Sequence, residues 1–146
     1  MVRVLATGVF DILHTGHLHY LRQAKALGDE LVVVVACDNN VRRRKHEPIT
    51  PEKMRAELVG SMKPVDRALV GDDGDMFRIV LELKPDIIAL GFDQHFKEQD
   101  LQKELEERGL KTKVVRLSKC SEDLTATRKI IQRVIENFEK TKKTVN

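Results

Sequence analysis

Residues 7–17 read Thr7-Gly8-Val9-Phe10-Asp11-Ile12-Leu13-His14-Thr15-Gly16-His17, and they lie where a first strand is expected to turn into a first helix. Upstream, the apolar and β-branched run that includes Val2 and Val4 is typical of a strand. Downstream, apolar residues recur at helical spacing until Gly28, namely Leu18, Leu21, Ala24 and Leu27. The pattern therefore predicts a strand, a turn and a helix, with two histidines at the junction.

This junction has the chemistry of a phosphate site. A helix N-terminus presents backbone N–H groups and the positive end of the helix dipole, and Gly16 has no side chain to keep a phosphate oxygen away from the backbone. His14 and His17 can donate hydrogen bonds to a phosphoryl group that gains charge in a transition state. Ordinary loop histidines are the other common interpretation of this spacing. Zinc is disfavoured, because no third His or Cys lies at useful spacing.

The rest of the chain alternates short apolar runs with helical stretches. Strands are expected at 30–37, 68–70, 86–90 and 113–116, and helices at about 51–62, 75–83, 97–108 and 125–140. This order predicts an α/β fold, a single Rossmann-like three-layer sandwich with a parallel sheet of about five strands. Ligands of such sheets bind at the carboxyl ends of the strands. We expect one domain at residues 1–139 and a polar C-terminal tail at 140–146 that frays.

The composition favours a small anionic ligand over a large partner. The net charge is only +3, aromatic residues make up 4% and Trp is absent, so surfaces for stacking nucleic-acid bases are scarce. The longest apolar run, 31–37, is too short to cross a bilayer, and no N-terminal signal segment is recognisable. We therefore expect a cytoplasmic protein, with no nucleic-acid or membrane partner and with Cys37 and Cys120 as free thiols.

The segment Gly8-Val9-Phe10-Asp11-Ile12-Leu13-His14-Thr15-Gly16-His17 resembles the G-x-F-D-x-x-H-x-G-H signature of the cytidylyltransferase-like nucleotidyltransferases. The likeness covers nearly the whole chain and weakens after the last helix begins. Within this superfamily, segments 63–66 and 83–91 are similar to those of archaeal FAD synthases, and glycerol-3-phosphate cytidylyltransferases are near relatives.

The resemblance assigns roles to the residues of the signature. It implies that His14 and His17 are catalytic and contact the phosphates of a nucleoside triphosphate. It also implies nucleotide contacts for Gly8, Val9, Phe10 and Gly16, and it makes Asp11 a candidate for phosphate or acceptor contacts.

Basic residues that follow residues 38–40, in the loop expected after the second strand, are further phosphate or acceptor candidates. The resemblance implies that Arg44 or Lys45 reaches the triphosphate or the acceptor phosphate, although a charge run is often only a solvated face. It also places Arg55 near the acceptor, and an exposed helical arginine is the alternative. Thr50 is expected to cap the helix that contains Arg55, with Pro51 at the first helical position.

Two later segments are also similar to the superfamily. Asp93 directly follows the fourth strand, and the resemblance implies that it contacts the nucleotide, whereas a turn-forming aspartate is the alternative. Thr125 is a credible N-cap of the last helix, where the resemblance implies that Thr125, Thr127 and Arg128 help to bind the nucleotide and its β- and γ-phosphates. The arginine that usually precedes this motif has two possible counterparts, Arg116 and Lys119.

The resemblance implies a reaction in which an acceptor phosphate attacks the α-phosphorus of a nucleoside triphosphate and pyrophosphate leaves. ATP and FMN, giving FAD, are the expected substrates. CTP with glycerol 3-phosphate, or with another sugar or alcohol phosphate, is the alternative, and a non-catalytic nucleotide-binding regulator is a third. A divalent cation, Mg²⁺, is expected to bind with the triphosphate. Relatives with this fold are often dimers, so a homodimer is the default expectation.

Overall fold

The computed structural model describes residues 1–44, 46–120 and 124–145, with side chains through residue 142. Strands and helices alternate along these residues. Their bounds are β1 (Arg3–Gly8), α1 (Thr15–Ala26), β2 (Glu30–Val35), α2 (Asp38–Arg44), α3 (Glu52–Gly60), β3 (Arg67–Val70), α4 (Met76–Leu83), β4 (Ile87–Leu90), α5 (Glu98–Glu107), β5 (Lys113–Arg116) and α6 (Thr127–Val145).

The strands form one parallel sheet in the order β3-β2-β1-β4-β5. Leu5 of the central strand β1 pairs with Val32 on one side and with Ile88 on the other. The chain builds outward from β1 to β3 and then crosses back to place β4 on the other side of β1. This reversal creates a crevice at the carboxyl ends of β1 and β4, which is where ligands of open α/β sheets bind.

Both faces of the sheet are covered, which explains the continuous β-branched run of β2. Val32 and Val33 point to opposite faces because side chains alternate along a strand, and both are fully buried. Val33 belongs to a core cluster with Leu21 and Val59, whereas Val32 belongs to a second cluster with Leu105. Burying each such valine stabilises the fold by about 1.5–3 kcal/mol. The structure confirms the predicted three-layer α/β sandwich.

The segment after β2 was predicted to be a loop, and this prediction is wrong. It forms the short helix α2, Asp38–Arg44. An acidic residue in the first turn and three arginines in the last complement the helix dipole. Val41, which is 2% exposed, anchors the helix to the core.

The predicted cap of α3 is also wrong. Pro51 occupies the N-cap position, the helix starts at Glu52, and no side chain caps it. Thr50 does not cap the helix because its hydroxyl is donated to Asp11. At the other end of the chain, α6 continues through residues 140–145, in the segment expected to fray.

Candidate active site

The loop between β1 and α1 has a constrained backbone. Phe10 and Ile12 both have positive φ angles, 56° and 54°, which side-chain-bearing residues adopt at an energetic cost. The Phe10 ring is 3% exposed and lies 5.3 Å from the His17 ring. A Cβ atom on Gly8 would come within 2.9 Å of the Phe10 ring, so this conformation requires glycine at position 8. Gly8 and Phe10 thus shape the loop that carries the histidines.

His14 and His17 lie at the start of α1, with their rings stacked at 3.8 Å between centroids. His14 is the N-cap: its Nδ1 accepts from the Gly16 N–H at 3.1 Å. His17 Nδ1 accepts in turn from the His14 N–H at 3.3 Å. We assign the neutral Nε2–H tautomer to both rings, because a neutral imidazole with an accepting Nδ1 carries its proton on Nε2. Both imidazoles can therefore donate from Nε2.

Burial lowers the pKa of His14 below its ordinary value, which favours the neutral ring. The hydrogen bond from Gly16 acts in the same direction, since protonation of Nδ1 would remove its acceptor. Gly16 itself has no room for a side chain, because a Cβ there would lie 2.8 Å from His14 Nδ1 and 2.8 Å from the Thr125 carbonyl oxygen.

Asp11 is buried, at 4% exposure, and its carboxylate holds the segment before α3. It accepts from the Ile49 N–H at 2.7 Å, the Thr50 N–H at 3.0 Å and the Thr50 hydroxyl at 2.6 Å. Burial acts to raise the pKa of Asp11, but the hydrogen bonds from Thr50 and Ile49 and the charge of Arg55 outweigh it and hold the pKa below the ordinary value. The carboxylate is therefore ionised and fully engaged within the protein.

Arg55 is the largest fully buried side chain in the described structure, so the alternative of an exposed helical arginine is wrong. Its guanidinium donates to the carbonyl oxygens of Val9 and Ala36, both at 2.8 Å, and of Thr50 at 2.9 Å. It also pairs with the Asp38 carboxylate at 2.6 Å. Arg55 thus ties the β1–α1 loop, the end of β2, the start of α2 and the segment before α3 to one another.

The start of α6 lies against the same loop. The Thr127 hydroxyl donates to the backbone carbonyl of Asp11, more than 100 residues away in sequence. The carbonyl oxygen of Thr125 lies beside Gly16, since it would be 2.8 Å from a Cβ atom at that position. The helix begins at Thr127 and not at Thr125, so Thr125 is not in the predicted capping position. Arg128 follows on the first turn with an exposed side chain. The two predicted anion-binding helix ends are therefore adjacent.

Asp93 is exposed in the loop after β4, at the predicted edge of the sheet. The neighbouring Gln94 joins this loop to β1, because its Nε2 donates to the Thr7 carbonyl at 2.9 Å. Arg116 donates to the carbonyls of Gly91 and Gln94, both at 2.7 Å, and to that of Phe96, and it pairs with Glu98. Arg116 therefore holds this loop, whereas the Lys119 ammonium lies 5.6 Å from the centre of the Phe92 ring.

The structure separates the members of the basic run at 42–45. Arg42 pairs with Glu47, and Arg43 pairs with Asp73. Arg44 is exposed and forms no ion pair among the residues that the structure describes, while Lys45 lies outside them. Of the two phosphate-binding candidates, Arg44 and Lys45, Arg44 therefore has an exposed guanidinium that can contact an anionic ligand.

No group of three or more His, Cys, Asp or Glu side chains is placed to hold a metal ion within the described ranges. The described residues thus contain no metal site built from protein side chains alone. The donor set fits a cation that is held chiefly by phosphate oxygens, since Mg²⁺ usually keeps waters and takes one or two carboxylates. The exposed Asp93 carboxylate is available for such a role. Within the same ranges, no helix is both long and apolar enough to cross a membrane.

Sequence reasoning missed several residues that position the site. Tyr20 donates to the Ala89 carbonyl at 2.6 Å and accepts from the Thr7 N–H, so it joins β1 to β4. Burial raises the pKa of its hydroxyl well above the ordinary range, so it remains a donor. Gln94 and Asp38 were also missed, although both lie in the segments that follow β4 and β2 at the carboxyl edge of the sheet, and that position was the available signal.

Comparisons with known proteins agree with this geometry. Residues 5–144 match the cytidylyltransferase-like family. The chain is 54% identical to an FAD synthase of Aciduliprofundum boonei, over 95% of this chain and 94% of that protein. It is 53% identical to an FAD synthase of Archaeoglobus profundus, over 93% of this chain and 88% of that protein.

A solved structure from Thermoplasma volcanium, described as a lipopolysaccharide core biosynthesis protein, superposes with a TM-score of 0.82 and 54% identity. The match covers 83% of this chain and 99% of that one. Sequence and backbone thus lead to the same assignment. The chain belongs to the cytidylyltransferase-like family.

Proposed function

We propose that this protein is an FAD synthase that transfers the AMP group of ATP to the phosphate of FMN and releases pyrophosphate. The observation that carries the proposal is the stacked pair His14 and His17 at the N-terminus of α1, where the Nδ1 atom of each ring accepts a hydrogen bond from a backbone N–H group. The FAD synthases that resemble the chain over nearly its full length support this choice of substrates.

The reaction needs no covalent intermediate. An oxygen of the FMN phosphate forms a bond to the α-phosphorus of ATP, the bond from that phosphorus to the bridging oxygen breaks, and pyrophosphate leaves with the electron pair. The FMN phosphate is already an anion, so no base has to activate it. Catalysis then rests on position and on neutralisation of charge.

In this proposal, His14 and His17 donate to oxygens of the α-phosphate as negative charge grows there. The backbone around Gly8, Val9, Phe10 and Gly16 forms the rest of the nucleotide cradle. Thr127 and Arg128 on the first turn of α6, and Thr125 just before that helix, face the outer phosphates. These proposed roles of the α6 residues are supported by the contact between the start of α6 and the β1–α1 loop.

Arg44, with Lys45 beside it in sequence, is proposed to meet the triphosphate or the acceptor phosphate. The roles of Asp11 and Arg55 are proposed to be indirect, because protein groups occupy the Asp11 carboxylate and most of the Arg55 donors. The Asp93 carboxylate is proposed as the side chain that would hold Mg²⁺ bound with ATP, and the cation would supply neutralisation of the negative charge on the phosphate oxygens.

A second candidate function has one observation in its favour. The relative from Thermoplasma volcanium is described as a lipopolysaccharide core biosynthesis protein and not as an FAD synthase, so we keep cytidylyl transfer from CTP to a sugar or alcohol phosphate as the second candidate. The test is pyrophosphate release with Mg²⁺ under reducing conditions, using ATP or CTP crossed with FMN or glycerol 3-phosphate. Release only with ATP and FMN supports FAD synthesis, and release only with CTP refutes it. Release with any pair would exclude a non-catalytic nucleotide-binding regulator.

We also propose that the protein is a homodimer joined through α6. Val134, Ile135 and Phe138 are 61%, 45% and 69% exposed and lie on one stripe of this helix. A second copy offers the same stripe, and a two-fold interface pairs identical surfaces. Light scattering is expected to give twice the 16.7 kDa chain mass for the wild type and a single chain mass for Phe138→Glu. A monomeric wild type at working concentration would refute this arrangement.

A further inference from the structure

Phe92 is an exposed aromatic residue at the ligand-binding edge of the sheet. It follows β4 by two residues and is 49% exposed, whereas Phe10 and Phe77 are below 10%. A single exposed apolar side chain is ordinary on a protein surface. Phe92 differs because of the loop that carries it.

Side-chain hydrogen bonds hold this loop, residues 91–97, at several points. Arg116 donates to three of its carbonyl groups. The Gln94 side chain accepts from the Gly91 N–H at 2.9 Å and donates to the Thr7 carbonyl. The backbone on both sides of Phe92 is therefore fixed before any ligand binds, which reduces the entropic cost of binding.

The loop is also joined directly to the phosphate loop. Thr7, which Gln94 contacts, immediately precedes Gly8, and Tyr20 links Thr7 to Ala89 of β4. The loop further lines a cavity of about 490 Å³ together with the start of α5. Lys119 lies over the Phe92 ring, and about half of the side chain stays exposed. An exposed ring thus lies on a loop that is hydrogen-bonded to the strand end preceding the expected phosphate site.

We infer that Phe92 is a stacking surface for a flat heteroaromatic ring of a substrate. This inference rests on the proposed function, in which both ATP and FMN carry such a ring, adenine in one and isoalloxazine in the other. A phenyl face stacks on either ring without reading its edge. Specificity for one of them would come from the polar groups around it.

The experiment compares Phe92→Ala, Phe92→Leu and Phe92→Tyr with the wild type. Leu58→Ala is the matched control, because Leu58 is also 49% exposed but lies on α3. The Michaelis constants for ATP and for FMN are measured separately. The inhibition constant of inorganic tripolyphosphate, which has no ring, is measured alongside, and thermal melting confirms that each variant is folded.

Loss of stacking is expected to raise the KM of one substrate by about 5- to 150-fold in Phe92→Ala. Phe92→Leu is expected to recover only part of this loss, and Phe92→Tyr most of it, while the tripolyphosphate constant stays unchanged. The substrate whose KM rises identifies the ring. The inference is overturned if both KM values stay within twofold, or if the tripolyphosphate constant rises as much as the KM.

Failure of the proposed FAD synthesis can be distinguished from failure of the stacking role of Phe92. If the wild type forms no FAD from ATP and FMN, the function is wrong, and calorimetric titration of ATP and fluorescence titration of FMN then replace the KM values. An equal affinity of wild type and Phe92→Ala for each ligand would still refute the stacking role. A wild type that binds neither ring would refute both proposals.

Discussion

The buried Arg55 gives the sharpest test of the difference between a structural and a ligand-binding role. Replacing it with Ala removes four hydrogen bonds and leaves the Asp38 carboxylate, which is 19% exposed, without its cation. Removing one partner of a buried ion pair typically costs about 3–5 kcal/mol. Since water can reach Asp38 in part, we expect the free energy of unfolding to fall by about 3–4 kcal/mol.

The assay is equilibrium unfolding in urea, with thermal melting as a second measure. A loss of this size is expected to lower the melting temperature by about 6–16 °C in a domain of this length. Arg22→Ala is the control, because Arg22 is exposed on α1, and it is expected to change stability by less than about 0.5 kcal/mol. Adding Asp38→Asn to Arg55→Ala is expected to recover part of the loss by removing the uncompensated charge.

The opposite result would refute the structural role. If Arg55→Ala unfolds with a free energy within about 1 kcal/mol of the wild type, and FAD formation is nevertheless lost, Arg55 acts on a ligand. Arg55→Lys separates the two cases further. It retains the charge but not the planar fork that reaches three carbonyls, so it is expected to be less stable than the wild type.

The remaining predictions concern the phosphate loop. His17→Ala is expected to lower kcat by about 10²- to 10³-fold without unfolding the protein, and wild-type turnover in a folded variant would contradict its role as a donor. Gly16→Ala is expected to cost about 1–3 kcal/mol of stability and most of the activity, because its Cβ would meet the Thr125 carbonyl at 2.8 Å; Gly74→Ala is the control, since no heavy atom lies within 4 Å there. The pKa of Asp11 is lower in the folded state, so its contribution to stability is complete above its ordinary value of 3.8 and is lost as the pH falls through the folded value. The difference in unfolding free energy between wild type and Asp11→Asn should therefore narrow below about pH 4. A difference that stays constant with pH would show that the charge of the Asp11 carboxylate does not stabilise the folded state.

The elements that local pattern determines were predicted well. The β-branched run of β2 and the helical spacing of α1 are properties of neighbouring residues, and both elements formed where expected. The junction of β1 and α1 placed His14 and His17 correctly for the same reason. α2 was missed because a seven-residue helix has too few positions for its period to be recognised.

The sequence by itself determined the α/β class, the strand positions and the histidine pair, because hydrophobic period and a local motif encode them. Only the tertiary structure decided the sheet order, the burial of Arg55 and the partners of Asp11, Thr50 and Arg116. A hydrogen bond between Arg55 and Val9 joins residues 46 positions apart, and one between Thr127 and Asp11 joins residues 116 apart. Such contacts depend on how the strands order themselves in the sheet, and no periodicity of a single segment records that order.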